Sequence, residues 1–278
     1  MTYQDHYLKA LNPTTGDLKK NLLSELRVYL SLSEDDSELY EICKKAGEAI
    51  LKEWKARKIN PADKAAVTAF YVDMKLYCYE LLALEIDAPI YRQEQLVAFV
   101  ELLKKHGKTK GIDYGSGIGT LGIYLNKNGI SCDFADVSET NLKFIAERLH
   151  RRGLNQSQLI NLTREELPTD QYDFITAFDV IEHIAAPLSF IGDATARLRN
   201  GGLFIFNLLG GEDDTPHILR DLNLIRKNIR GFGLTKIGTI GEFKIYQKIK
   251  RPNFINELLR GADSVFWAFR EKVEALKS

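Results

Sequence analysis

The chain has 278 residues, 45% of them apolar, enough to bury a substantial core as one large domain or two smaller ones. Lys plus Arg and Asp plus Glu each number 38, so the formal charge is zero and no net field draws in a polyanion, which argues against nucleic acid as a partner. Cys43, Cys78 and Cys132 are odd in number, scattered and free of C-x-x-C spacing, so they read as buried thiols and not as a zinc or redox site.

In chain order, residues 1–17 mix charge with polar side chains and lack an apolar stretch flanked by basic residues, so a secretory signal is not expected and a cytoplasmic protein is. Lys, Glu or Asp interrupts every hydrophobic segment short of the roughly 18 apolar residues that span a bilayer, so no membrane partner is expected. From residue 17 to about 103, apolar side chains recur at helical spacing, as in Leu22, Leu23, Leu26 and Leu30, then Ile42, Ala46, Ala49, Ile50 and Trp54. Helix starts are expected at Ser33, ahead of Glu34, Asp35 and Asp36, and at Asn60-Pro61-Ala62-Asp63, with Pro61 at an early helical position; a break falls at Asp87-Ala88-Pro89. Positions 70, 74, 77 and 81 share one helical face, so packing accounts for Phe70, Met74 and Tyr77. The same region, with Tyr71, Tyr79, Tyr91 and Arg92, also offers an aromatic cap over a ligand.

After Lys108 the rhythm changes. Short apolar runs at 111–113, 130–135, 159–162, 174–178 and 203–208 alternate with amphipathic segments, the pattern of a parallel sheet with helices on both faces. A helix over 216–230 leads into β-like runs at 234–240 and 243–249, and the short Gly241-Glu242 joint predicts an antiparallel hairpin at the sheet edge. Residues 253–276 are again amphipathic, with Phe254, Leu258, Phe266 and Phe269 as buried positions. The expected organisation is a helical N-terminal domain over 1–95, an α/β domain over 96–252 and a C-terminal helix over 253–278.

The most informative segment is Gly111-Ile112-Asp113-Tyr114-Gly115-Ser116-Gly117-Ile118-Gly119-Thr120, placed where a strand hands over to a helix. Glycines at 115, 117 and 119 permit positive φ and let a ligand approach without meeting a Cβ atom. Gly117, Gly119 and Gly122 also spell the G-x-G-x-x-G of dinucleotide sites, so two cofactors compete for the loop. Asp113, just before the turn, repels a pyrophosphate but favours the amino and sulfonium cations of S-adenosylmethionine (SAM). Asp136, at the end of the next strand, suits two ribose hydroxyls under either reading.

These residues resemble the class I SAM-dependent methyltransferase family over about 103–249. Asp113-x-Gly115-x-Gly117-x-Gly119 is similar to the family's first motif, and Asp136-Val137-Ser138 to its ribose acid and adenine contact. Phe178-Asp179-Val180-Ile181-Glu182-His183, followed by Pro187, is similar to the segment found in ubiquinone- and menaquinone-biosynthesis methyltransferases. The resemblance implies an α/β Rossmann-like methyltransferase sheet, mostly parallel with an antiparallel edge hairpin, preceded by an all-helical N-terminal domain. It also implies SAM as cofactor, contacted by Asp113, Gly115, Ser116, Gly117, Gly119, Thr120, Asp136, Val137, Phe178, Asp179 and Val180. One departure is Thr163, where many relatives place an acid for the adenine amino group; a hydroxyl can accept that bond, and Arg164 would offer its backbone amide to the ring.

The expected reaction is methyl transfer to a small-molecule acceptor at oxygen or nitrogen, with His183 as the base within reach of the acceptor. A packing role for Glu182 and His183 in a first helical turn stands beside it, as does a weaker metal reading with Asp179; no metal site is expected. The helical portion would cover the acceptor, form a homodimer interface, or both. The alternatives are a nicotinamide-dependent oxidoreductase and a non-catalytic SAM-binding or interaction protein.

Overall fold

The computed structural model describes residues 9–11, 17–87, 89–211 and 215–249, the side chains of residues 89–93 excepted. The expected helix over 253–276 and the side chains of Tyr91 and Arg92 lie outside the described residues. Ahead of the sheet lie α1 (Leu18–Leu30), α2 (Asp36–Arg57), α3 (Lys64–Asp73), α4 (Tyr77–Asp87) and α5 (Pro89–Lys105). Aspartates cap the first three. Asp17 accepts from the Lys20 amide, Asp35 from Ser37 and Glu38, and Asp63 from Ala65 and Ala66. The cap of α2 is therefore Asp35 and not Ser33, and Pro61 lies in the turn before α3 and not inside it.

The face drawn through 70, 74, 77 and 81 is not one helix. The chain leaves helical geometry at Met74 (φ −79°, ψ 82°) and resumes at Tyr77. Phe70 and Met74 still share a buried cluster with Ile50, Trp54 and Val67, whereas Leu81 packs with α1 and α2 side chains elsewhere. Helix α5 runs through residue 95 without interruption, and its Leu96, Phe99, Val100 and Leu103 belong to the core of the sheet. The helical region and the α/β region thus share a helix.

The sheet comprises β1 (Lys110–Tyr114), β2 (Ser131–Asp136), β3 (Leu159–Asn161), β4 (Tyr172–Ala177), β5 (Leu198–Phe206), β6 (Leu234–Ile240) and β7 (Phe243–Lys248), in the order β3-β2-β1-β4-β5-β7-β6. Strands β1 to β5 pair in parallel, while β7 pairs antiparallel with β5 and with the edge strand β6, as the Gly241-Glu242 joint predicts. Helices α6 (Thr120–Lys127), α7 (Glu139–Arg151) and α8 (Pro187–Arg197) make the crossovers into β2, β3 and β5, and a loop joins β3 to β4. The central strands are buried along nearly their whole length, which is why they read as continuous apolar runs without alternation.

The helix expected over 216–230 is confined to α9 (Leu222–Asn228) and a 3-10 turn at Ile229–Phe232. Residues 216–221 instead form a loop whose Ile218 and Leu219 amides donate to the Glu182 carbonyl, at 2.7 and 3.1 Å. No helix among the described residues is long and apolar enough to cross a membrane.

Candidate functional site

The parallel register aligns the carboxyl ends of β1, β2 and β4, the edge at which open α/β sheets gather ligands. Asp113 pairs with Thr176 across β1 and β4, and its carboxylate accepts from the Thr176 hydroxyl at 2.7 Å. Burial raises Asp113 from 3.8 to about 7 against the Thr176 bond, which lowers it, and the neighbouring Asp136 raises it further. Beyond β1 the backbone turns with φ of +67° at Gly115, +54° at Gly117 and +79° at Gly119, which caps α6.

Asp136 is tied into that turn. One carboxylate oxygen accepts from the Gly117 amide at 3.0 Å and the other from the Ser138 amide at 2.8 Å. Burial raises its pKa, and these amide bonds oppose the rise. Two buried carboxylates therefore stand on either side of the glycine turn. The turn is packed from outside as well: a Cβ on Gly115 would lie 2.5 Å from Val180, and one on Gly117 would lie 2.8 Å from Leu81 of α4. The helical region thus reaches directly onto the loop.

Other predicted residues are placed less simply. Ser116 is buried, its hydroxyl 3.4 Å from the Ala135 carbonyl, and Thr120 opens α6. Val137 follows Asp136 and is half-buried. The Thr163 hydroxyl and amide both donate to the Asn161 side chain, at 2.6 and 2.9 Å, which leaves the hydroxyl oxygen able to accept. The Arg164 amide already donates to the Asn161 carbonyl at 2.9 Å, and its guanidinium pairs with Glu139, so the amide expected to face a ring is turned inward. Phe178 is also turned away, its ring 5.0 Å from Phe99 and 4.1 Å from Phe243, because the residue alternates to the core face of the sheet.

Asp179 follows in the left-handed region, at φ +53°, a conformation that acidic residues tolerate better than most. Its amide donates to the Asn207 side-chain carbonyl at 2.8 Å, and the Asn207 amide group donates back to its carboxylate. The chain then makes a 3-10 turn over Ile181–His183, well ahead of α8. Glu182 is fully buried, with no hydrogen-bond partner for either carboxylate oxygen from another side chain among the described residues, and burial raises it to about 7. His183 is lowered to about 4 by burial and by His217, whose ring lies 4.7 Å away. Its Nδ1 is 2.6 Å from the Tyr71 hydroxyl and 3.1 Å from the Pro216 carbonyl. Among the described residues no cluster of three His, Cys, Asp or Glu groups is arranged to hold a metal ion.

Sequence reasoning missed two supports. Tyr71 of α3, read only as part of an aromatic cap, meets His183, and the loop expected to be helical supplies Pro216 and His217. Beneath the glycine turn, the fully buried Arg148 of α7 donates to the Ile118 carbonyl and, at 2.9 Å, to Glu25 of α1, which also pairs with Arg152. The signal for this was two arginines four apart on the apolar side of an amphipathic helix.

Residues 112–204 match a family model described as methyltransferase domain. The ubiquinone biosynthesis O-methyltransferases of Parvibaculum lavamentivorans and Paramagnetospirillum magneticum are 33% and 28% identical to the chain over 100 and 94 residues, covering 35% and 34% of it. This segment is a methyltransferase domain, similar to the class I SAM-dependent family. Its matches cover 39% and 38% of those two relatives, so the chain spans roughly two fifths of the length of the curated relatives it matches. Magnesium protoporphyrin IX methyltransferase from Synechocystis, solved with bound S-adenosylhomocysteine, has the same fold: TM-score 0.53 at 16% identity, over 68% of this chain and all of that one. The matched segment holds the glycine turn and the parallel strands β1 to β5, while α1 to α5 and the antiparallel strands β6 and β7 lie outside it.

Proposed function

We propose that this chain transfers a methyl group from SAM to a small-molecule acceptor, at oxygen or nitrogen. The observation that carries the reading is the pair of buried carboxylates, Asp113 and Asp136, flanking a positive-φ glycine turn. That donor set fits a cation bearing a nucleoside. Asp113 gains a counter-charge from a cationic ligand and would repel a pyrophosphate, while Asp136, held in place by the Gly117 and Ser138 amides, suits ribose hydroxyls. Gly115, Ser116, Gly117, Gly119 and Thr120 would supply the close backbone wall, with Val137, Thr163 and the 179–180 segment around it.

SAM supplies an electrophilic methyl group on sulfur, so the protein has to align an acceptor, exclude water and take a proton. His183 suits proton acceptance, since it sits at the carboxyl ends of the strands and burial keeps the imidazole neutral, with a lone pair, at physiological pH. Tyr71 and Tyr77 from the helical region stack beside it, 5.3 Å apart, and wall the acceptor side. The zero net charge and the small, buried cluster favour a small molecule over a nucleic acid. A cytoplasmic location agrees with three buried free cysteines. A homodimer built through the helical region is the quaternary arrangement we propose.

Calorimetry with SAM, S-adenosylhomocysteine and NAD tests the cofactor. Micromolar or tighter SAM binding without NAD binding is expected, and the reverse would overturn the reading. Label transfer from methyl-tritiated SAM into a deproteinised metabolite extract tests turnover, and full SAM affinity without any labelled product would mark a non-catalytic binding protein.

A further inference from the structure

The acid-base character of His183 depends on which ring nitrogen carries its proton, and the three groups at Nδ1 decide this. The Tyr71 hydroxyl is 2.6 Å from Nδ1, and the Pro216 carbonyl is 3.1 Å both from Nδ1 and from the Tyr71 oxygen. A carbonyl accepts and never donates. If Tyr71 donated to a bare Nδ1, the Pro216 oxygen would face lone pairs on both neighbours with no proton directed at it, inside a buried site where such contacts are unfavourable. One arrangement satisfies all three contacts: Nδ1–H donates to the Tyr71 oxygen, and the Tyr71 hydroxyl donates to Pro216. The Tyr71 and Tyr77 hydroxyls are also hydrogen-bonded to each other.

We propose that Tyr71 is a positioning residue that, with the Pro216 carbonyl, holds His183 as the Nδ1–H tautomer and so leaves the lone pair on Nε2, at the opposite edge of the ring. This deepens the reading of His183 as the base and rests on it. Tyr71 lies in α3, outside the methyltransferase-domain match, so part of the proton-accepting machinery is supplied by the helical region. That region then acts as more than a cover, since removing one hydroxyl of α3 alters the chemistry of a residue beyond β4. The groups that set the charge around His183 are Tyr71 on α3, His217 on the 216–221 loop, and Asp179 and Glu182 on its own segment. None of the three that contact or flank Nδ1 is a permanent cation or anion, which leaves hydrogen bonding in control of the tautomer.

Long-range nitrogen–proton correlation spectra of nitrogen-15-labelled full-length protein read the tautomer directly. The wild-type ring is expected to show a protonated Nδ1 and a bare Nε2, and Tyr71→Phe to populate the Nε2–H form. A wild-type Nε2–H ring overturns the proposal without need of the variant, and an unshifted tautomer in folded Tyr71→Phe overturns it too. Label transfer from tritiated SAM should fall about tenfold in Tyr71→Phe, with SAM affinity unchanged. Undiminished transfer in Tyr71→Phe removes its role in turnover. Undiminished transfer in His183→Ala identifies the base reading, and not the tautomer assignment, as the part that failed.

Discussion

Replacing Asp113 by Asn should make the protein more stable and less able to bind its cofactor, with a pH dependence that isolates the cause. In the fold Asp113 titrates at about 7 instead of 3.8, so the folded state holds the proton more tightly than the unfolded chain does. As pH rises from about 4 to 7 the unfolded state loses that proton first, and the unfolding free energy falls. About three units at roughly 1.4 kcal/mol each make the ionised carboxylate unfavourable to the fold by roughly 4 kcal/mol above pH 7. Asn keeps the acceptor for Thr176 but buries an amide N–H pair, which costs about 1 to 3 kcal/mol where no partner is found. The expected net gain at about pH 8 is roughly 2 kcal/mol, vanishing or reversing near pH 5, where the wild-type acid is protonated. Urea unfolding followed by circular dichroism at the two pH values measures this. Glu182 is also raised, but it is common to both proteins and drops out of the difference, whereas Asp136, which raises Asp113, loses that repulsion in the variant and adds to its stability at high pH. SAM affinity of the wild type should increase as pH passes through about 7, whereas the variant should bind weakly throughout. A variant less stable than wild type at about pH 8, or a difference independent of pH, would refute the argument that burial of this charge opposes folding.

Gly115→Ala would place a Cβ 2.5 Å from Val180 at φ +67°, so a loss of about 1 to 3 kcal/mol in unfolding experiments and a sharply weaker SAM titration are expected. Glu25→Gln strips Arg148 and Arg152 of their shared counter-ion inside the fold, and thermal unfolding should report a loss of about 3 to 5 kcal/mol. If His183 is the base, turnover should rise with pH through about 4 and be level above it on that limb, because the imidazole is already neutral there; a limb at the ordinary histidine value, 6.5, would contradict its burial.

Much of the architecture was legible because the relevant signals are local. Apolar runs buried on both faces marked β1, β2 and β4, the short Gly241-Glu242 joint marked the edge hairpin, and the glycine spacing after Asp113 marked the strand-to-helix turn. Boundaries that depend on competition between neighbouring caps were less legible: Asp35 takes two amides where Ser33 was the expected cap, and Met74 interrupts a helical face that periodicity alone runs straight through. The resemblance did not reveal that the Phe178 ring turns to the core or that the Arg164 backbone amide is already bonded to Asn161.

By itself, then, the order of residues determined the strand segments, the edge hairpin, the turn at Gly115 to Gly119 and the two acids beside it, since these depend on spacing within a few residues. Only the folded arrangement decided that Leu81 rests on Gly117, that Glu25 is bound to Arg148, and that Tyr71 meets His183 more than a hundred positions away. Such contacts follow from how helices pack against the ends of a sheet, and hydrophobic periodicity sets which face of a helix is buried without saying what it will touch.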